Sequence, residues 1–140
     1  MQKPKIVGNT IVIPSDHQFL SDVDMFVEGL LRGWNADESF IADVAISVSE
    51  LVNNAITHGN KLSVDLSVTV KVVKSGDEVS IEVSDQGRGF NPDGIANPIS
   101  DENLLKDVGR GIFIVRSLMD KVDVNPSSRG TRVTITKKLS

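Results

Sequence analysis

Apolar side chains along this chain recur with two different periods, and the switches between them divide it into strands and helices. Ile6, Ile11 and Ile13 sit among polar residues around Gly8, which predicts a short strand pair or one bent strand. Pro14-Ser15-Asp16 breaks that pattern. Phe19, Leu20, Val23, Phe26, Val27 and Leu30 then follow at helical spacing, with Ser15 or Asp16 placed to cap a first helix. Gly33-Trp34-Asn35 ends it. Asn35 with Glu38 three residues on has the form of a capping box for the next helix. There Ile41, Val44, Ala45, Val48, Leu51, Val52, Ala55 and Ile56 fall on one face at i, i+3, i+4, i+7 spacing. Gly59 is expected to stop this helix as its C′ residue, with His58 in the last turn.

From Val64 the period drops to two. Val64, Leu66, Val68, Val70 and Val72 alternate with Asp65, Ser67, Thr69 and Lys71. Lys74-Ser75-Gly76-Asp77 has the composition of a turn, and Val79, Ile81 and Val83 alternate on the way back. A polar segment of about twenty residues, with Pro92, Gly94 and Pro98, precedes Gly109; a connection that long inside a compact domain is a functional or mobile one. A third helix is expected from about Arg110 to Asp120. Two strands follow, Val122-Asp123-Val124 and Thr131 to Ile135, joined by Pro126-Ser127-Ser128-Arg129-Gly130. Hairpin-connected strands interrupted by helices imply an α+β fold: a two-layer sandwich with a largely antiparallel sheet and helices on one face. The period-2 alternation agrees, since it leaves the other face wet. The chain reads as a single domain, 1–140.

Composition narrows the function classes. Hydrophobic residues make up 39% and charged residues 24%, ordinary for a globular domain. Net charge is −4 without a basic arm or stripe, which argues against direct nucleic-acid binding. Cysteine is absent, which excludes disulfides and thiolate metal sites. The two histidines, His17 and His58, lie far apart, which argues against structural zinc. Neither a bilayer-spanning apolar run nor a signal-peptide core is expected, so the reading is a cytoplasmic protein without membrane contact. Trp34 and the five Phe are assigned to packing.

Three short strings could carry chemistry. Glu50 and Asn54 lie at i, i+4 and flank the apolar stripe. Taken alone they read as a solvated Glu beside a C-terminal-turn Asn. They also suit a carboxylate that deprotonates a hydroxyl and an amide oxygen that ligates Mg²⁺. Asp85 opens Gln86-Gly87-Arg88-Gly89-Phe90: a common start for glycine turns, or a carboxylate beside backbone that a flat ligand can approach. The string is not a dinucleotide fingerprint, because Pro92 stands where a third glycine would be needed, and no GxxxxGK[ST] loop occurs. Gly109-Arg110-Gly111 precedes a helix, and is either a hinge or an anion site of free amides aided by the Arg110 guanidinium. Gly130-Thr131 alone is a turn. His58 is read as a helix-end residue with no role.

In this order, Glu50-Leu51-Val52-Asn53-Asn54-Ala55-Ile56-Thr57-His58-Gly59, Asp85 to Phe90, and Gly109-Arg110-Gly111-Ile112 running on to Leu118-Met119-Asp120 resemble the nucleotide-binding boxes of the GHKL ATPase/kinase superfamily. They look most like its small bacterial anti-sigma-factor serine kinases. The resemblance runs from about the first helix to the C-terminus. It implies a Bergerat-type α/β sandwich whose segment 91–108 is a mobile ATP lid, and ATP and Mg²⁺ as cofactors. It implies Glu50 as general base, Asn54 as metal ligand, and Asp85 as acceptor from the adenine amine. Gly87, Gly89, Gly109, Arg110, Gly111 and Thr131, with Gly130, would contact the nucleotide. Phe90 closes the adenine pocket or anchors its loop. The implied function is a serine/threonine protein kinase that binds a sigma factor and phosphorylates a small antagonist protein. The alternative is an ATP-binding, non-catalytic module that sequesters a partner. The resemblance further implies a homodimer through the N-terminal strand and first helix, where Val7, Ile11 and Ile13 suit either pairing or an internal core.

Overall fold

The computed structural model describes residues 3–87 and 109–139. Strands β1 (Lys5–Val7) and β2 (Thr10–Pro14) form a hairpin. A 3₁₀ turn, His17–Phe19, leads into α1 (Leu20–Gly33) and then α2 (Glu38–Asn54). Strands β3 (Ser67–Ser75) and β4 (Glu78–Ser84) follow, then α3 (residues 109–118), β5 (Lys121–Ser127) and β6 (Gly130–Lys138). Among the described residues the six strands form one antiparallel sheet in the order β1-β2-β3-β4-β6-β5. This is the α+β architecture expected. β6 lies between β4 and the edge strand β5, which sets the start of β6 beside the end of β4, with Arg132 opposite Ser84.

One face of the sheet carries the core. Ile11, Ile13, Val68, Val70, Val72, Val79, Ile81, Val83 and Ile135 alternate inward and join the buried sides of α1, α2 and α3 in a single cluster. Val44, Val48, Val52 and Ile56 are at most 1% exposed. Full burial of such a side chain stabilises by about 1.5–3 kcal/mol. That stripe fixes the rotation of α2 about its axis, and so the direction in which Glu50 and Asn54 point.

Several local expectations are corrected. Asp37, not Asn35, caps α2: its Oδ1 accepts from the Phe40 N–H at 2.7 Å. Asn35 instead takes a left-handed turn, φ 59°, and Glu38 bonds Arg32 at 2.7 Å rather than closing a capping box. β3 starts at Ser67, because residues before it are held in turns in which the Leu66 N–H donates to the Ser63 carbonyl; Val64 is exposed. α3 stops at 118, where Lys137 Nζ donates to the Leu118 carbonyl at 2.7 Å. Ile11 and Ile13 belong to the internal core, while Ile6 and Val7 are exposed on the edge strand. The stretch Glu38–Gly59 is, by length and mean hydropathy of 1.2, apolar enough to cross a membrane, contrary to expectation. Half of its most apolar 18-residue window is buried inside the fold, as in the core helix of a globular domain. The expected lid 91–108, and Arg88, Gly89 and Phe90, lie outside the described residues.

Asp37→Ala is expected to lower stability by about 1 kcal/mol through loss of the cap. Asn35→Gly is expected to be neutral or slightly stabilising, since glycine adopts a left-handed φ freely. Urea unfolding of both variants checks the assignment; a capping box at Asn35 would reverse the order.

Candidate active site

The site forms where α2 ends. Glu50 and Asn54 are half-buried on its last turns. The helix does not stop there: it widens into one π turn, Ala55–Gly59, closed by the Asn60 N–H donating to the Ala55 carbonyl at 2.7 Å. Single π turns inside helices concentrate at functional sites, because the extra residue displaces the chain beyond it. Here the turn carries Gly59 against the end of β4. A Cβ on Gly59 would fall within the Asp85 carboxylate. Gly59 is therefore required by close approach, rather than by the left-handed C′ conformation expected from the sequence.

Asp85 follows β4 directly and is tightly held. Its N–H donates to the Thr131 carbonyl at 3.0 Å. Its Oδ1 accepts from the Thr131 N–H at 3.0 Å and the Gly87 N–H at 3.1 Å. A Cβ on Gly87 would collide with the Gly59 carbonyl, and one on Gly130, φ 137°, with the Asp85 carbonyl. Three glycines from three segments thus pack around one carboxylate. Among the described residues no donor reaches its Oδ2, the oxygen facing Gly59. Burial raises the Asp85 carboxyl above its ordinary range, and the Thr131 and Gly87 N–H groups pull it partly back.

The first turn of α3 covers the other half of the site. Gly109 and Arg110 are exposed, whereas Gly111 is buried against Glu50 and Asn54. A Cβ at Gly111 would meet the Glu50 Oε1 and come within 3.0 Å of Asn54 Nδ2. That Nδ2 is buried and has no hydrogen-bond partner among the described residues. A buried unpaired N–H donor costs about 1–3 kcal/mol, and it leaves Asn54 Nδ2 open to an acceptor on a ligand. The Asn54 amide oxygen and the adjacent Glu50 carboxylate are hard oxygens of the kind Mg²⁺ takes, with waters and substrate phosphates as its other ligands. Among the described residues no cluster of three or more His, Asp or Glu could hold an ion alone.

The structure therefore brings Glu50, Asn54 and Gly111 together, and Asp85, Gly87, Gly130 and Thr131 together, with the π turn joining the two groups. Gly89 lies outside the described residues. Sequence reasoning missed Asn60 and its partners Ser15, Ser67 and Gln86, which meet beneath Asp85. The available signal was a polar residue placed directly after a helix-ending glycine.

A sequence profile of the histidine kinase-like ATPase domain matches residues 13–137. The chain belongs to this family. It is 30% identical over 132 residues to the serine-protein kinase RsbW of Staphylococcus aureus, covering 89% of this chain and 82% of that protein. The RsbU and RsbW domains of Rv1364c from Mycobacterium tuberculosis superpose with a TM-score of 0.70 at 23% identity, over 99% of this chain and 32% of that one. This chain thus spans about a third of that protein. The histidine kinase domain of the blue-light activated histidine kinase of Erythrobacter litoralis EL346 gives a TM-score of 0.56 at 22% identity, over 91% of this chain and 62% of that one. Both share the fold of this histidine kinase-like ATPase domain.

Gly87→Ala is expected to cost about 1–3 kcal/mol, since its Cβ meets backbone that cannot turn aside. Gly111→Ala meets only side chains and gains helix propensity, so its stability should stay within about 1 kcal/mol of the parent. Urea unfolding compares them; a Gly87→Ala variant as stable as the parent would contradict the Gly59 contact.

Proposed function

We propose that this chain is a Mg-ATP-dependent serine/threonine protein kinase that acts as an anti-sigma regulator, binding a sigma factor and phosphorylating a small antagonist protein. The observation that carries this reading is the convergence beneath Gly111, at the start of α3, of Glu50 and Asn54, whose Nδ2 has no partner among the described residues. Homology to the serine-protein kinase RsbW supports it.

Bound Mg-ATP supplies the phosphoryl group and a counter-charge for its transfer. The Asn54 amide oxygen would hold the metal, and Asp85 Oδ2 would accept from the adenine amine. Gly87, Gly89 and Thr131 would line the base. The exposed Arg110 and the amides of Gly109 and Gly111 would face the polyphosphate, as free helix-start N–H groups favour anions. Glu50 would orient the incoming hydroxyl and take its proton. A cytoplasmic location and pairing of two copies belong to the same proposal. Pairing would use the exposed Ile6 and Val7 of β1, not the buried Ile11 and Ile13.

Asn54→Ala should keep the fold, because the buried Nδ2 it removes has no partner among the described residues, yet lose most Mg²⁺-dependent ATP affinity. Calorimetry with and without Mg²⁺ measures this, and equal affinities in variant and parent would take Asn54 out of the site.

Glu50→Gln keeps size and polarity but cannot accept a proton. It should bind ATP normally and transfer label from γ-labelled ATP to a cognate antagonist protein roughly 10²–10⁴-fold more slowly. If the parent transfers no label to a cognate antagonist that it binds, the kinase reading fails and a partner-sequestering ATP-binding module replaces it.

A further inference from the structure

Asn60 lies outside the residues assigned above, yet it is 2% exposed and every polar atom of its side chain is engaged. Its Nδ2 donates to Ser15 Oγ at 2.7 Å and to the Ser67 carbonyl at 2.9 Å. Its Oδ1 accepts from the Gln86 N–H at 2.8 Å. Ser15 is also buried, and its hydroxyl donates to the Leu66 carbonyl at 2.6 Å. The Gln86 side chain returns to β3, where its Oε1 accepts from the Ser67 N–H at 2.7 Å and from Ser67 Oγ at 3.1 Å. Four segments therefore meet at one amide: the end of β2, the residue after the π turn, the start of β3 and the loop after β4.

The consequence falls on the loop that carries Asp85. Three successive N–H groups are each assigned one acceptor: Asp85 to the Thr131 carbonyl, Gln86 to Asn60 Oδ1, and Gly87 to Asp85 Oδ1. The outer two bind Asp85 to its own surroundings. The middle one is the tie from this loop to the helix layer. Only an amide presents an acceptor to Gln86 and two donors to Ser15 and Ser67 at once. The backbone after Asn60 is strained as well: Lys61 at φ 51° and Leu62 at φ 62° are consecutive left-handed non-glycine residues. Such backbone persists where its surroundings over-determine it, and it clusters at functional sites. Here the Leu62 N–H donates to the Ile56 carbonyl at 2.8 Å and the Ser63 N–H to the Asn60 carbonyl at 3.0 Å.

We propose that Asn60 is a positioning residue for base selection: through Gln86 it holds the Asp85 carboxylate in register with the exocyclic amine of a bound adenine. The proposal rests on the reading of Asp85 as the adenine acceptor. Asn60 makes no contact with the base itself.

The test compares ATP with purine riboside triphosphate, which lacks the 6-amino group, by calorimetry on the full chain. The parent should prefer ATP by about tenfold, one charge-assisted hydrogen bond, and Asp85→Asn should abolish the preference. Asn60→Ala should bring the ratio of the two affinities close to one, while affinity for the amine-free analogue changes less than about twofold. Asn60→Asp keeps the acceptor for Gln86 but loses the donor to the Ser67 carbonyl, and should restore part of the ratio at lower thermal stability. Should Asn60→Ala not fold, Ser15→Ala removes only one of the partners that orient the amide and should lower the ratio by about two- to threefold. An Asn60→Ala or Ser15→Ala variant that keeps the parent's ratio, or loses both nucleotides equally, overturns the positioning role. A parent that does not distinguish the two nucleotides overturns the reading of Asp85, and the role of Asn60 with it.

Discussion

The approach of the π turn at the end of α2 to the loop after β4 is the constraint on which the site depends. Backbone meets backbone there, at Gly59 and Gly87, and backbone meets carboxylate at Gly59 and Asp85. Neither contact tolerates a Cβ. Each follows from larger features: the apolar stripe of α2 sets the helix's rotation and depth, and the β4–β6 pairing sets where Asp85 leaves the sheet. The glycines then let two rigidly placed elements come closer than side chains would allow. Glu50 and Asn54 inherit their direction from the same stripe, so packing in the core is what aims the polar groups.

Much of this was legible in the sequence because periodicity and chemistry pointed the same way. The stripe from Ile41 to Ile56 gave α2, and the alternation from Val68 to Val72 and Val79 to Val83 gave the central hairpin with its turn at Gly76, φ 62°. Glu50, Asn54, Asp85 and Gly87 were picked out by the resemblance of their strings to a family, and the fold sets the first two against Gly111 and the last two against Gly59. What could not be read depended on contacts distant in sequence. Gly59 looked like a C′ glycine, since an isolated helix end favours that reading; its reason is Asp85, which no local pattern reveals. Asn35 and Asp37 both suit a helix start, and only the backbone decides which one caps it. Asn60 joins residues 45 positions before it to residues 26 after it, and such a junction leaves no periodic trace.

The π turn resolves a conflict between two demands on α2. The apolar stripe must remain on the sheet through Ile56, while the chain beyond must deliver Gly59 to β4 and then reverse within a few residues to enter β3. A regular α-helical ending would shift the residues after Ala55 by about 100° around the axis. The π turn absorbs one residue, and the consecutive left-handed conformations at Lys61 and Leu62 complete the reversal. The cost of that irregular backbone is offset by Asn60, whose side chain satisfies groups that would otherwise be buried unpaired.

Two groups in the site are held at the expense of the protein's own stability. Asn54 Nδ2 is buried without a partner among the described residues. Asp85 is raised above its ordinary value by burial, with the N–H groups of Thr131 and Gly87 opposing. A raised value in the folded state means that the fold binds this proton more tightly than the unfolded chain does. The stability it contributes is fully present below the ordinary Asp value of 3.8 and is lost as pH rises through the raised one. Above that raised value the fold carries an ionised, partly desolvated carboxylate, and among the described residues an unpaired amide donor. A ligand that donates a hydrogen bond to Asp85 and accepts one from Asn54 Nδ2 would remove both penalties at once. It binds the folded state alone, and by mass action it stabilises that state in proportion to its occupancy. The same two side chains that weaken the fold on its own are those through which a ligand with a donor for Asp85 and an acceptor for Asn54 would tighten the whole domain.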